Sequence, residues 1–209
     1  MEKSTVKLDV LRFVGSNEFS SSTMKAMETV PRHRFVLVEQ QIVAYENHPL
    51  PIGYGQTISQ PYIVAFMTDI LHIDAKHRIL EVGTGSGYQA AILSEVAQEV
   101  YSIEVIKELA DKAKRRLQEI EYTNVHTKLG DGYYGWDEYA PYDGIIVTAV
   151  SEKVPPPLVE QLKNNGRMII PIGTEYTPQN LVLLTKNSKG ITHTEHVLPV
   201  RFVPLTGRH

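Results

Sequence analysis

The stretch Ile79–Leu93, ILEVGTGSGYQAAIL, decides how this chain is read. An apolar run over Arg78–Val82 reads as a strand, and it enters three glycines, Gly83, Gly85 and Gly87, at alternate positions. Tyr88–Ala97 then continues as an apolar helix. A glycine-rich turn between a strand and a helix lets a ligand come close to the main chain, which side chains at those positions would prevent. The dinucleotide fingerprint is G-x-G-x-x-G. Here the glycines fall as G-x-G-x-G, with Tyr88 where the third of that pattern would stand. Glu81, two positions before the first glycine, repels a pyrophosphate but suits a ligand carrying a cationic amine.

Outward from this loop, strands and helices alternate. Val100–Glu104 reads as a second strand, Ile106–Ile120 as a charged amphipathic helix, Val125–Leu129 as a third strand and Tyr142–Ala149 as a buried fourth. Pro156–Leu162 reads as a helix and Gly166–Ile172 as a fifth strand. This pattern predicts an α/β fold with a doubly wound, mostly parallel sheet, an α/β/α sandwich. Leu181–Thr185 and His196–Val203, around the turn Asn187–Gly190, predict a C-terminal antiparallel hairpin at the sheet edge. The first 75 residues read as mostly helical: a short helix through Met24 and Met27 stops before Pro31, His48–Gly55 is a loop, and Pro61 opens a helix. The expected organisation is a single domain: residues 1–75 contribute a loop at 53–61, residues 76–175 form the ligand-binding core, and residues 176–209 the hairpin.

Glu104 ends the second strand 21 residues after Gly83, where a carboxylate accepts from ribose hydroxyls. Asp131 and Gly132 follow the third strand, in position to meet an adenine amine, although D-G is also a common turn. Thr84 and Ser86 lie inside the loop and are expected to offer backbone contacts. A ribose, an ammonium group and no pyrophosphate describe S-adenosyl-L-methionine (and its product S-adenosyl-L-homocysteine) better than NAD.

Composition narrows the class. The chain has 209 residues, a net charge of −3 and no cysteine, which excludes disulfides, thiol nucleophiles and Cys-based zinc sites. It shows no global pull toward nucleic acid or an anionic membrane. No apolar run is long enough to span a bilayer, so a cytoplasmic protein is expected, and a monomer, since no apolar surface face is evident.

One segment lies outside the alternating pattern: Gly53–Ala65, GYGQTISQPYIVA. The glycine loop with Glu81, Glu104 and Asp131-Gly132 resembles class I methyltransferases. With Gly53–Ala65, Val30–Val36 (VPRHRFV), LKNNGRMIIPIG and Val203–Gly207 (VPLTG), nearly the whole chain resembles the protein-L-isoaspartate O-methyltransferases. That resemblance implies methylation of the free α-carboxylate of L-isoaspartyl residues in damaged proteins, followed by spontaneous closure of the ester to a succinimide. It implies Ser59 as the active-site residue, with Thr57, Ile58 and Gln60 contacting substrate and Thr206 folding back near the cofactor.

The residue chemistry is compatible with this. A carboxylate is ionised at neutral pH, its reference pKa being about 4, so it attacks a sulfonium methyl without a general base. Ser59 also stands two positions before Pro61, so capping of that helix is a second role open to it. Arg32, His33 and Arg34 form a small basic cluster with two readings, a surface that meets an acidic peptide and, favoured, a solvated face; Lys112, Lys114, Arg115 and Arg116 read as a solvated face. His193 and His196 fall in the expected hairpin and face opposite sides of a strand, so no metal site is expected. Val154-Pro155-Pro156-Pro157-Leu158 lacks the residues of an amino-methylating nucleic-acid enzyme, and Trp136 reads as packing. A nucleic-acid methyltransferase and a non-catalytic S-adenosylmethionine sensor are the competing classes.

Overall fold

The computed structural model describes residues 19–209; the helical expectation for the residues before Phe19 lies outside the described residues. Helix α1 (Ser21–Thr29) starts at Ser20, whose hydroxyl accepts from the Thr23 amide, and buries Met24, Ala26 and Met27. Its end before Pro31 follows from the clash that proline makes with a helical predecessor. Two 3-10 turns, Arg32–Arg34 and Val38–Val43, carry the chain onward.

The segment expected as loop is instead an antiparallel hairpin, β1 (Leu50–Gly53) against β2 (Gln56–Ile58). Its proline and glycines masked the strands. Tyr54 and Gly55 both take positive φ, 55° and 71°, the two-residue turn that matches strand twist. Pro51 is tolerated because the pair has open edges. Helix α2 (Pro61–Asp69) follows directly.

The remaining strands are β3 (Arg78–Val82), β4 (Glu99–Glu104), β5 (Val125–Leu129), β6 (Tyr142–Val147), β7 (Leu162–Ile172), β8 (Gln179–Lys186) and β9 (Thr192–Val200). Between them come α3 (Tyr88–Ser94), α4 (Lys107–Glu119) and α5 (Pro156–Gln161). The seven strands form one sheet in the order β5-β4-β3-β6-β7-β8-β9. Pairing is parallel from β5 to β7 and antiparallel from β7 through β9, so the edge hairpin is present. The strand β7 begins at Leu162, earlier than the expected Gly166, and β9 ends at Val200 rather than Val203.

Alternation along the strands divides the core. Ile79, Val100, Ile146 and Ile169 face the side covered by α1, α2, α3 and α4. Leu80, Tyr101, Ile145 and Met168 face the side covered by α5 and the Trp136–Tyr139 segment. Chain order runs away from β3 in opposite directions, toward β4 on one side and β6 on the other. A doubly wound sheet opens a crevice at such a switch point, beyond the carboxyl ends of its strands.

Candidate active site

Two cavities meet in that crevice. The first, about 430 Å³, is walled by Thr57, Ser59, Gln60, Tyr62, Thr148 and the 198–203 segment. The second is walled by Gly83, Gly85, Glu104, Gly132, Thr148 and the Val203–Thr206 segment, again with Thr57 and Ser59. Past β9 the chain returns over the crevice: the Val150 amide donates to Val203 O and the Leu205 amide to Val150 O, both at 2.8 Å. The Gln179 side chain fixes the turn, accepting from the Phe202 amide at 2.6 Å. This return places Thr206 on the wall of the second cavity.

The glycine loop is built from local backbone and a few buried side chains. Gly83 sits at φ 97°, and a Cβ there would overlap the Thr148 hydroxyl. That hydroxyl donates to Gly83 O at 2.7 Å. Glu104 accepts from the Gly85 amide at 2.7 Å through Oε2, and from the Val105 and Ile106 amides at 2.9 Å through Oε1. Its carboxylate therefore shapes the loop and also walls the cavity.

Glu81 stands elsewhere. It is fully buried and lines neither cavity. Ser102 Oγ donates to its Oε2, and Thr84 Oγ1 lies 2.6 Å from Ser102 Oγ. Its other oxygen, Oε1, is buried without a hydrogen-bond partner among the described residues. Burial pushes the Glu81 carboxyl up to about 8, against the Ser102 hydrogen bond. Thr84, Ser86 and Gly87 likewise turn inward: Ser86 Oγ accepts from the Tyr88 amide, and Gly87 packs on Leu117 and Ala113.

Asp131 is engaged by the end of the chain. Its Oδ2 accepts from the Arg208 amide at 2.7 Å and its Oδ1 from the Tyr133 amide at 3.1 Å. The His209 ring lies 3.2 Å from both oxygens and stacks on Tyr133. Burial opposes ionisation there, yet these amides and His209 together hold the carboxyl below the usual range. Gly132, not the Asp131 side chain, reaches the cavity wall.

On the acceptor side, β2 alternation settles three residues at once. Thr57 and Ser59 face the cavities, whereas the Ile58 side chain between them is buried in the core. Ile58, expected to contact substrate, therefore has its side chain on neither cavity wall. Gln60, not Ser59, is the N-cap of α2, and its own side chain makes no capping hydrogen bond. Proline at N1 has no amide to cap, and the Tyr62 amide donates to Asn47 Oδ1 at 3.0 Å. The Ser59 hydroxyl is thus left for the cavity.

These features, a glycine loop at the switch point beside a Thr-x-Ser turn and a returning C-terminal strand, match one family over the whole fold. The family model for protein-L-isoaspartate(D-aspartate) O-methyltransferase (PCMT) matches residues 8–209. The chain belongs to this family. A protein-L-isoaspartate O-methyltransferase 2 of Syntrophobacter fumaroxidans is 56% identical over 94% of this chain and 79% of its own length. A Polaromonas protein of the same name is 54% identical over 93% and 92%. A solved protein-L-isoaspartate O-methyltransferase superposes with a TM-score of 0.87 at 30% identity, over 96% of this chain and 66% of that one. A Plasmodium falciparum structure provisionally named for the same activity, in complex with S-adenosyl-L-homocysteine, shares the fold: TM-score 0.81, 23% identity, 97% of both chains.

For this PCMT member, three site residues escaped the sequence. Thr148 walls both cavities from the end of β6; its position on a switch-point strand was the available signal. Arg116 is half-buried and donates to Ser86 O at 2.6 Å, so it leaves the solvated face of α4 to hold the glycine loop. Arg32, expected on a solvated face, is 1% exposed and donates to Ser59 O at 2.7 Å. Among the described residues no helix is long and apolar enough to cross a membrane.

Proposed function

We propose that this chain transfers the methyl group of S-adenosyl-L-methionine to the free α-carboxylate of L-isoaspartyl residues in damaged proteins and peptides. One observation carries the reading. Two adjoining cavities share a wall of Thr57, Ser59, Thr148 and Val203, and among the described residues the acceptor cavity has no carboxylate or imidazole on its wall. A site without a general base suits an acceptor that is already an anion.

The cofactor cavity fits S-adenosyl-L-methionine on this chain's own residues. Gly83 and Gly85 keep side chains off its floor, and Glu104 Oε2 carries a single amide, leaving capacity for a ribose hydroxyl. When bound, the cofactor supplies an electrophilic methyl on a sulfonium sulfur.

The protein's part is orientation. Ser59 and Thr57 are neutral donors that hold the acceptor carboxylate without competing as nucleophiles. The Val203–Thr206 return strand closes the crevice over both partners and reduces access of water. Glu81, Thr84, Ser86 and Gly87 set the loop from beneath, and Asp131 ties the Gly132 turn to the chain end. Arg201, an exposed residue on the acceptor wall, adds positive charge that suits an anionic peptide.

The reading extends to a single-domain cytoplasmic monomer acting on polypeptide rather than nucleic acid, supported by the −3 net charge. Sedimentation of the purified chain checks the monomer. Labelled methyl transfer to a matched pair of peptides, one with L-isoaspartate and one with L-aspartate, tests the function. Base-labile ester on the isoaspartyl peptide alone is the expected result. Cofactor binding with no transfer to either would leave a sensor, and transfer to RNA or DNA would leave a nucleic-acid enzyme.

A further inference from the structure

Arg32 is a charged side chain buried with no anion paired to it among the described residues. Its Nε donates to Ala44 O and its Nη2 to Ser59 O, both at 2.7 Å. Its Cζ lies 4.8 Å from the centre of the Tyr88 ring, and Nη1 is buried with no hydrogen-bond partner among the described residues. The acceptors of its Nε and Nη2 are neutral carbonyls, and its other close partner, the Tyr88 side chain, is neutral as well. Burial pushes its pKa down and Tyr88 opposes that, and a guanidinium stays protonated in proteins.

Removing a cation from water is costly unless something nearby uses the charge. A lone structural brace between Ala44 and Ser59 needs donors but no charge. The residue whose carbonyl Arg32 holds is the one whose hydroxyl faces the acceptor cavity. Donation to Ser59 O fixes the turn, and it leaves one uncompensated positive charge behind the cavity wall, shielded from salt.

We propose that Arg32 is a positioning residue for the acceptor: its fork sets the Ser59 turn, and its charge makes that turn favour a carboxylate over a neutral group. The proposal rests on the methyl-transfer reading above. Arg201 is the competing source of positive charge, but it is exposed, so salt screens it. Arg32 is not screened in that way.

The test compares Arg32→Gln and Arg32→Lys with the parent, reading kcat and KM for an isoaspartyl peptide alongside the Kd of S-adenosyl-L-homocysteine. In Arg32→Gln the peptide KM should rise about 10- to 100-fold, with cofactor Kd within about threefold. Arg32→Lys, which restores charge without the fork, should recover part of the KM loss. Equal KM in parent and Gln variant, equal defects in Lys and Gln variants, or a parallel loss of cofactor affinity would each overturn the proposal.

A second measurement uses the unaltered protein and so survives a variant that fails to fold. An isoaspartyl peptide whose α-carboxyl is replaced by a carboxamide should compete at least about tenfold more weakly than its carboxylate parent at about 0.5 M salt. Equal competition would overturn the proposal. Absence of methyl transfer by the parent protein would overturn the reading of the site and the proposal together, an outcome distinct from transfer with an indifferent Arg32.

Discussion

The loop Gly83–Gly87 and the turn Thr57–Gln60 lie on facing walls of one crevice. The loop takes its support from nearby strand ends: Ile103 O accepts from the Gly83 amide at 2.8 Å, Glu104 accepts from Gly85, and Thr148 donates to Gly83 O. The turn is held at Ser59 O by one side chain, Arg32, from 27 residues upstream. A loop with several independent braces tolerates loss of any one side chain but not a change in backbone shape. The Ser59 position, which lies beyond the β1–β2 pairing of Thr57 and Ile58 and has one buried side-chain brace at its carbonyl, behaves in the opposite way.

The largest effect expected from this contrast is Gly83→Ala. Positive φ there strains any L side chain, and the methyl meets the Thr148 hydroxyl. S-adenosyl-L-homocysteine affinity should fall about 100-fold by calorimetric titration, from backbone strain plus displacement of the wall. Retained affinity would break the claim that backbone shape governs this half. Next comes Ser59→Ala, which removes a hydroxyl and leaves the carbonyl bonded to Arg32. Peptide kcat/KM should drop about 10- to 100-fold, the size of a hydrogen bond to a charged group, with cofactor Kd unmoved. A shift in cofactor affinity instead would show the two halves to be energetically one.

A smaller effect concerns the ground beneath the loop. Burial raises the Glu81 carboxyl to about 8, so the folded chain keeps a proton there that the unfolded chain releases above about pH 4.5. Stability therefore falls as pH rises through that window, by an amount on the order of a few kcal/mol. Glu81→Gln carries no such proton, so its loss of melting temperature between about pH 6 and pH 8.5 should be less steep than the parent's. An identical slope in the two proteins would rule out this account of the Glu81 environment. The smallest effect is at the hairpin tip, where Lys112 Nζ stands 5.0 Å from the exposed Tyr54 ring. Lys112→Ala should lower stability by under about 1 kcal/mol in thermal unfolding and leave activity unchanged.

The same contrast explains what could be read from sequence. The glycine loop is contiguous, its strand and helix flank it, and Glu104 falls at a strand end, so spacing alone indicates the fold and the part of the cavity wall made by Gly83, Gly85 and Glu104. The acceptor turn was recognised by resemblance, and the means by which it is held was not. Arg32 sits in an Arg-His-Arg run that resembles a solvated surface, and nothing local shows that Ala44 and Ser59 converge on it. The hairpin around Tyr54 was hidden because Pro51, Gly53 and Gly55 are read as breakers, although Gly55 forms the turn with Tyr54. Glu81 reads from sequence as a carboxylate for the ligand's amine, but its side chain is buried off both cavity walls and takes a hydrogen bond from Ser102 on the adjacent strand. Side-chain direction and long-range pairing, not element type, were the missing information.

The wall shared by the two cavities has a practical consequence for inhibitor design. Thr57, Ser59, Thr148 and Val203 touch both, so no partition separates acceptor from donor and transfer needs no covalent enzyme intermediate. Joining an S-adenosyl-L-homocysteine moiety to an isoaspartyl peptide through a link of one or two atoms makes the second binding event intramolecular. Such a conjugate should bind with an avidity at least about 100-fold beyond either half alone, because the span to be bridged is nearly zero.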